Sequence, residues 1–153
     1  MDNNSGQKSG QNHQLCGFKI GDAYYAVPVL EVQELIKPQR MTQVPLSPPF
    51  VRGLINLRGQ IVTTISLRRM FGIDEEDPEE HMNIIIRNKD SLYSLIVDEI
   101  MDVMDLEESI FESAPKTINE KIRKYIKGVY KLDGKILVLL DLAIILNEAH
   151  TDE

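Results

Sequence analysis

Residues that carry chemistry are scarce in this chain. A single cysteine, Cys16, rules out an internal disulfide and suits a reducing compartment; it falls at the apolar start of a strand-like run and reads as core rather than nucleophile. The three histidines, His13, His81 and His150, lie in a polar N-terminal stretch, in an acidic connection and near the last residue, so no shared metal or base geometry is expected. No Gly-rich phosphate loop and no G-x-S-x-G turn is present. No run of about 18 apolar residues and no signal peptide appears, so direct membrane insertion is not expected and a cytoplasmic protein is. Basic residues are in deficit, 17 against 24 acidic, and the net charge of −7 excludes the basic face a nucleic-acid partner needs. These absences argue against an enzyme, a metal and a cofactor, and leave a binding protein.

What is present is strand and turn. Phe50 to Leu67, FVRGLINLRGQIVTTISL, contains two arms, Gly53–Leu57 and Gln60–Ile65. Branched apolar residues give both arms strand character, and Arg58-Gly59 sits between them where a tight turn needs φ > 0. A second copy lies 75 positions on: Lys127–Leu137 aligns with Arg52–Val62, with Gly, Leu, Gly and Ile recurring at 53/128, 57/132, 59/134 and 61/136, and Leu67 recurring at Leu142. That period is too long for a solenoid and points to two related subdomains, each a strand, glycine turn and strand followed by a short helix.

Along the rest of the chain, residues 1–14 are polar and read as a disordered tail, and 15–149 as one folded domain with two pseudo-repeated subdomains, about 15–75 with parts exchanged and 82–149. A hairpin is expected over LCGFKI and YYAV about Gly21-Asp22, ended by Pro28, then a short turn at Val29–Glu31 and a strand at Val32–Ile36. Four prolines between Pro38 and Pro49 predict an extended loop. Residues 72–81, with six carboxylates, read as a solvated linker without the EF-hand order. SLYSLIVDEIMDVMDL (91–106) predicts one long bent strand, Glu107–Glu112 a helical turn, and 142–149 a helix. Short strands, tight turns and brief helices add up to mostly antiparallel β structure, resolved with the repeat into two small closed barrels.

Asp98, Asp102, Asp105, Glu107 and Glu108 read as a solvated edge rather than an acid pair. Arg58 stands out: its guanidinium fork, beside Asn56 and near exposed apolar side chains, suits an interface anchor, with Glu34 as an acidic partner to hold it.

At these residues the chain resembles the CheW family of bacterial chemotaxis adaptors. The resemblance runs from about Cys16 to Asn147; its strongest piece is F-V-R-G-L-I-N-L-R-G-Q-I at Phe50–Ile61, close to the family's G-x-x-N-L-R-G hallmark. Supporting pieces are Tyr25-Ala26-Val27 with Val32-Gln33-Glu34, Val97-Asp98 with Asp102-Val103, and Gly128 with Leu140-Asp141-Leu142. It implies two five-stranded SH3-like β-barrel subdomains sharing a hydrophobic core, no enzymatic activity and no cofactor or metal. It also implies a scaffold that joins the cytoplasmic tips of transmembrane chemoreceptors to the regulatory domain of the histidine kinase CheA, in arrays at the inner face of the membrane. By motif position Val32, Glu34, Gly53, Leu54, Asn56 and Arg58 would line a receptor-binding groove, and Ile100 and Val103 match positions near a partner surface. Thr63 and Ser66 depart from the family's usual Pro and Asp or Asn, which bears on the kink of the second arm, on helix capping and on partner choice. The alternative is a CheW-like adaptor of a type IV pilus or other chemosensory pathway.

Overall fold

The computed structural model describes residues 12–74 and 81–149. β1 (Asn12–Ile20) and β2 (Ala23–Pro28) form the first hairpin, and a 3-10 turn over Val29–Glu31 leads into β3 (Val32–Ile36), as the sequence predicts. β4 (Val51–Leu57) and β5 (Gln60–Ser66) form the second hairpin, followed by α1 (Leu67–Phe71). Then come β6 (Met82–Asn88), β7 (Ser91–Val97), β8 (Glu99–Glu107), a 3-10 turn at Glu108–Ile110 and β9 (Phe111–Glu112). The chain continues through α2 (Glu120–Arg123), β10 (Ile126–Leu132), β11 (Lys135–Leu140) and α3 (Leu142–Ala149).

The strands form a six-stranded sheet, β8-β1-β2-β11-β10-β9, and a five-stranded sheet, β3-β6-β7-β5-β4. β3 and β4 are opposite ends of the second sheet, yet Glu34 on β3 pairs with Arg58 at the end of β4, so that sheet curls toward closure. The fold is thus mostly β, two small SH3-like barrels with few short helices. Each interior has its own apolar filling: Ile55, Leu57, Val62, Ile85 and Leu92 in one, and Leu15, Ala26, Tyr130 and Leu137 in the other. A larger cluster lies between them. In it Phe18, Tyr25, Phe71 and Tyr125 form a row of rings at 6.0, 5.3 and 6.0 Å, joining β1, β2, α1 and the turn just before β10.

The internal repeat survives in detail. Both hairpins change register at equivalent points, between Val51 and Gly53 and between Ile126 and Gly128. Both second arms then pair in parallel, β5 with β7 and β11 with β2. A third segment also crosses each first arm at matching positions: Thr42 bridges Leu54, and Glu112 pairs with Val129. A Cβ on Gly53 would stand 2.7 Å from the Thr42 carbonyl oxygen, and one on Gly128 2.5 Å from that of Glu112. Glycine is required at both places because the crossing backbone comes that close.

Four expectations need correction. β1 begins at Asn12, so Asn12, His13 and Gln14 are not tail but pair with Glu107, Leu106 and Asp105; residues 1–11 lie outside the described residues. The run 91–106 is two strands in different sheets, broken at Asp98. The carboxylate of Asp98 is drawn out of the ladder to meet Arg68 and the Gly21 N–H, and apolar periodicity carries no trace of that pull. Of the helical turn expected over Glu107–Glu112 only Glu108–Ile110 is helical, as a 3-10 turn: Glu107 ends β8, and Phe111–Glu112 are strand β9. The strands also divide otherwise than at an acidic connection between 75 and 82. The five-stranded sheet takes all its strands from 32–97 and the six-stranded one from 12–28 and 99–140, so the chain changes barrel at Val29–Glu31 and at Asp98. Of the linker reading, residues 75–80 lie outside the described residues.

Candidate partner-binding site

The β4–β5 turn shapes the site. Its central residues Arg58 and Gly59 both have positive φ, 53° and 89°, the turn geometry whose twist matches the flanking strands. Asn56 supports it, its Oδ1 accepting the Gly59 N–H at 2.9 Å. Across the gap to β3, Arg58 Nη2 donates to Glu34 Oε2. The Arg58 side chain is 66% exposed and that of Glu34 29%, so the pair contributes no more than about 1 kcal/mol to the fold. Its consequence is geometric. The fork is held in one place, and an arginine with five N–H donors retains capacity for a partner's carboxylate or carbonyl.

Register fixes what surrounds it. Leu54 lies opposite Thr63 and Asn56 opposite Ile61, so these four share the outer face while Ile55, Leu57 and Val62 turn into the barrel. Ile61 is 62% exposed. Backbone bonds of 2.8 and 2.7 Å tie Thr42 to Leu54. Beside them opens a shallow pocket of about 130 Å³ bounded by Val44, Ser47, Val51, Leu54, Thr63, Tyr93 and, at the end of α3, Ala149.

Of the six residues expected to share a groove, Glu34 and Arg58 touch, Asn56 shapes the turn and Leu54 faces outward. Val32 packs against the shared core, beside a bulge that re-aims β3 before Glu34, and Gly53 is buried under Thr42. Ile100 and Val103 stand apart, on β8 in the other sheet opposite Phe18 and Cys16; Val103 is exposed and Ile100 is half-buried against the core. The two departures are accommodated locally. Ser66 Oγ caps α1 by accepting the Arg69 N–H at 3.1 Å, and Thr63 sits in an unbroken register with Tyr93, without a kink.

Residue patterns missed one polar cluster. Arg68, nearly buried on α1, donates to Asp98 through Nε at 3.0 Å and Nη2 at 2.6 Å, and through Nη1 to the Asp74 carbonyl at 2.5 Å. Asp98 also accepts the Gly21 N–H at 2.7 Å, and His81 Nε2 lies 3.7 Å away. Burial pushes the Asp98 carboxyl up, but the Arg68 and Gly21 hydrogen bonds and the Arg68 charge, with a lesser contribution from His81, outweigh it and hold it below the usual range. In sequence LRRMF shows two arginines on a short helix and gives no sign that one turns inward.

Against this geometry, residues 14–150 match the CheW-like domain. The chain belongs to that family. It is 33% identical to chemotaxis protein CheW of Bacillus subtilis (strain 168), covering 92% of this chain and 90% of that protein. It is 29% identical to chemotaxis protein CheW of Helicobacter pylori, over 94% of this chain and 89% of that one. The crystal structure of the scaffolding protein TtCheW from Thermoanaerobacter tengcongensis superposes with a TM-score of 0.75 at 28% identity, covering 85% of this chain and 89% of that one. Within this CheW-like fold, no group of three His, Cys, Asp or Glu side chains among the described residues is placed to hold a metal ion. No helix among them is long and apolar enough to cross a membrane.

Proposed function

We propose that this CheW-like protein is a non-enzymatic chemotaxis adaptor that joins the cytoplasmic tip of chemoreceptors to the regulatory domain of the histidine kinase CheA. Glu34, Leu54, Asn56 and Arg58 contact the receptor, and Val32 and Gly53 hold those residues in place. The observation that carries the reading is the Arg58–Glu34 pair, which fixes a cationic fork at the mouth of one barrel, on the same outer face as Leu54 and Ile61. A fixed arginine beside apolar side chains is the composition of an interface centre. Ile100 and Val103, on the edge strand of the other barrel, offer a second contact area, as a scaffold holding two partners needs. The signal passes as a shift between kinase states that the adaptor contacts differently.

The test is co-sedimentation of CheA with receptor-bearing membranes. Adding the protein is expected to carry the kinase into the pellet in proportion to the adaptor bound; kinase that stays in the supernatant while the protein itself sediments contradicts the coupling role.

A further inference from the structure

Leu46 breaks two rules at once. It adopts the left-handed conformation, φ 65°, which disfavours any side chain with a Cβ, and it is fully exposed, at 103% of its reference area. Glycine or asparagine is the ordinary occupant of such a position, and a leucine with no burial adds nothing to the core.

The loop nevertheless holds it firmly. The Thr42–Leu54 bridge anchors one side, Ser47 Oγ donates to the Val44 carbonyl at 2.9 Å, and the Val51 N–H donates to that of Pro48 at 3.0 Å. Arg69 Nη1 donates to the Pro49 carbonyl at 2.8 Å, and prolines at 45, 48 and 49 fix their own φ. A backbone held this firmly presents the protruding leucine at a set place, so part of the ordering cost of a contact there is met in advance.

We propose that Leu46 is a specificity-determining anchor for the receptor, inserting between apolar side chains of a helical segment that lies along the outer face of β4. The proposal rests on the adaptor reading and extends its site. Its neighbours Val44 and Ser47 line the same small pocket as Leu54 and Thr63, so the leucine is continuous with the outer face that ends at Arg58. From Leu54 to Arg58 the strand runs about 13 Å, and with the pocket and Leu46 added the face is long enough for more than two helical turns. A helix laid there would meet an apolar knob at one end, the small pocket next to it and a cationic fork at the other.

The test is a binding titration of a receptor-tip helical hairpin and, separately, of the CheA regulatory domain, against wild type, Leu46→Asn, Leu46→Met and Arg58→Glu, with thermal melts of each. Leu46→Asn, which tolerates the backbone, is expected to weaken receptor-tip binding about tenfold or more while its melting temperature holds or rises. Leu46→Met should stay within about threefold of wild type, and none of these variants should change kinase-domain binding. Unchanged receptor affinity in Leu46→Asn, with binding lost in Arg58→Glu, overturns the Leu46 assignment and leaves the adaptor reading standing. Weakening on the kinase arm alone contradicts the choice of partner. A wild-type protein that binds no receptor tip overturns the adaptor reading and this inference with it.

Discussion

Single residues here act through what they hold in place. The Arg58–Glu34 pair is exposed enough that its removal should barely move stability, yet it positions the fork that we propose as the partner contact. Exchanging the charges, with Glu34→Arg and Arg58→Glu together, is expected to restore part of the receptor affinity that either single change removes, measured as a double-mutant cycle. Strict additivity of the two losses would show that the pair does not act as a unit. Asp98 behaves in the opposite way. Its carboxyl is held below the usual range, so it stabilises the fold at neutral pH, and that contribution is lost as pH falls below about 4 toward its folded value. Asp98→Asn removes the carboxylate to which Arg68 Nε and Nη2 donate and should cost about 2–4 kcal/mol at pH 7. In chemical denaturation across pH, the gap between wild type and Asp98→Asn should narrow below about pH 4; a gap independent of pH would remove the ionised carboxylate from the account.

At the scale of elements, the two glycine hairpins are the organising parts. Gly53→Ala would place a methyl group against the Thr42 carbonyl on a backbone at φ 156°, and a loss of about 1–3 kcal/mol is expected in thermal or chemical melts. No loss would mean that the Thr42 segment can lift away without penalty. These hairpins were legible in the sequence because alternation, Arg58-Gly59, Asp133-Gly134 and the offset of 75 all point the same way. The early hairpin, the short turn and β3 were legible for similar local reasons, as was the Arg58–Glu34 pairing. The break at Asp98, the inward turn of Arg68 and the strand β9 were not. Each depends on a partner far along the chain, and a local pattern of apolar residues contains no information about that partner. Leu46 was read only as part of a proline-rich loop, because a positive φ at a leucine is set by its surroundings and leaves no mark in composition.

At the scale of the molecule, the chain builds two barrels from one repeated hairpin unit and then gives them different surfaces. One carries Arg58, Glu34 and the Leu46 loop; the other carries the acidic edge strand β8 with Val103 exposed upon it. The strand crossings at Val29–Glu31 and Asp98, with the aromatic row through the shared core, join the barrels into a single body. Two unlike surfaces on one body are what a scaffold between two partners requires. The most direct test is calorimetric titration of the protein with the CheA regulatory domain and with a receptor-tip hairpin, using wild type and Arg58→Glu side by side. Saturable binding of both partners is expected, with the receptor arm alone weakened by about 1–3 kcal/mol in the variant. Absence of binding to both, or equal loss on both arms, would contradict an adaptor with separate sites.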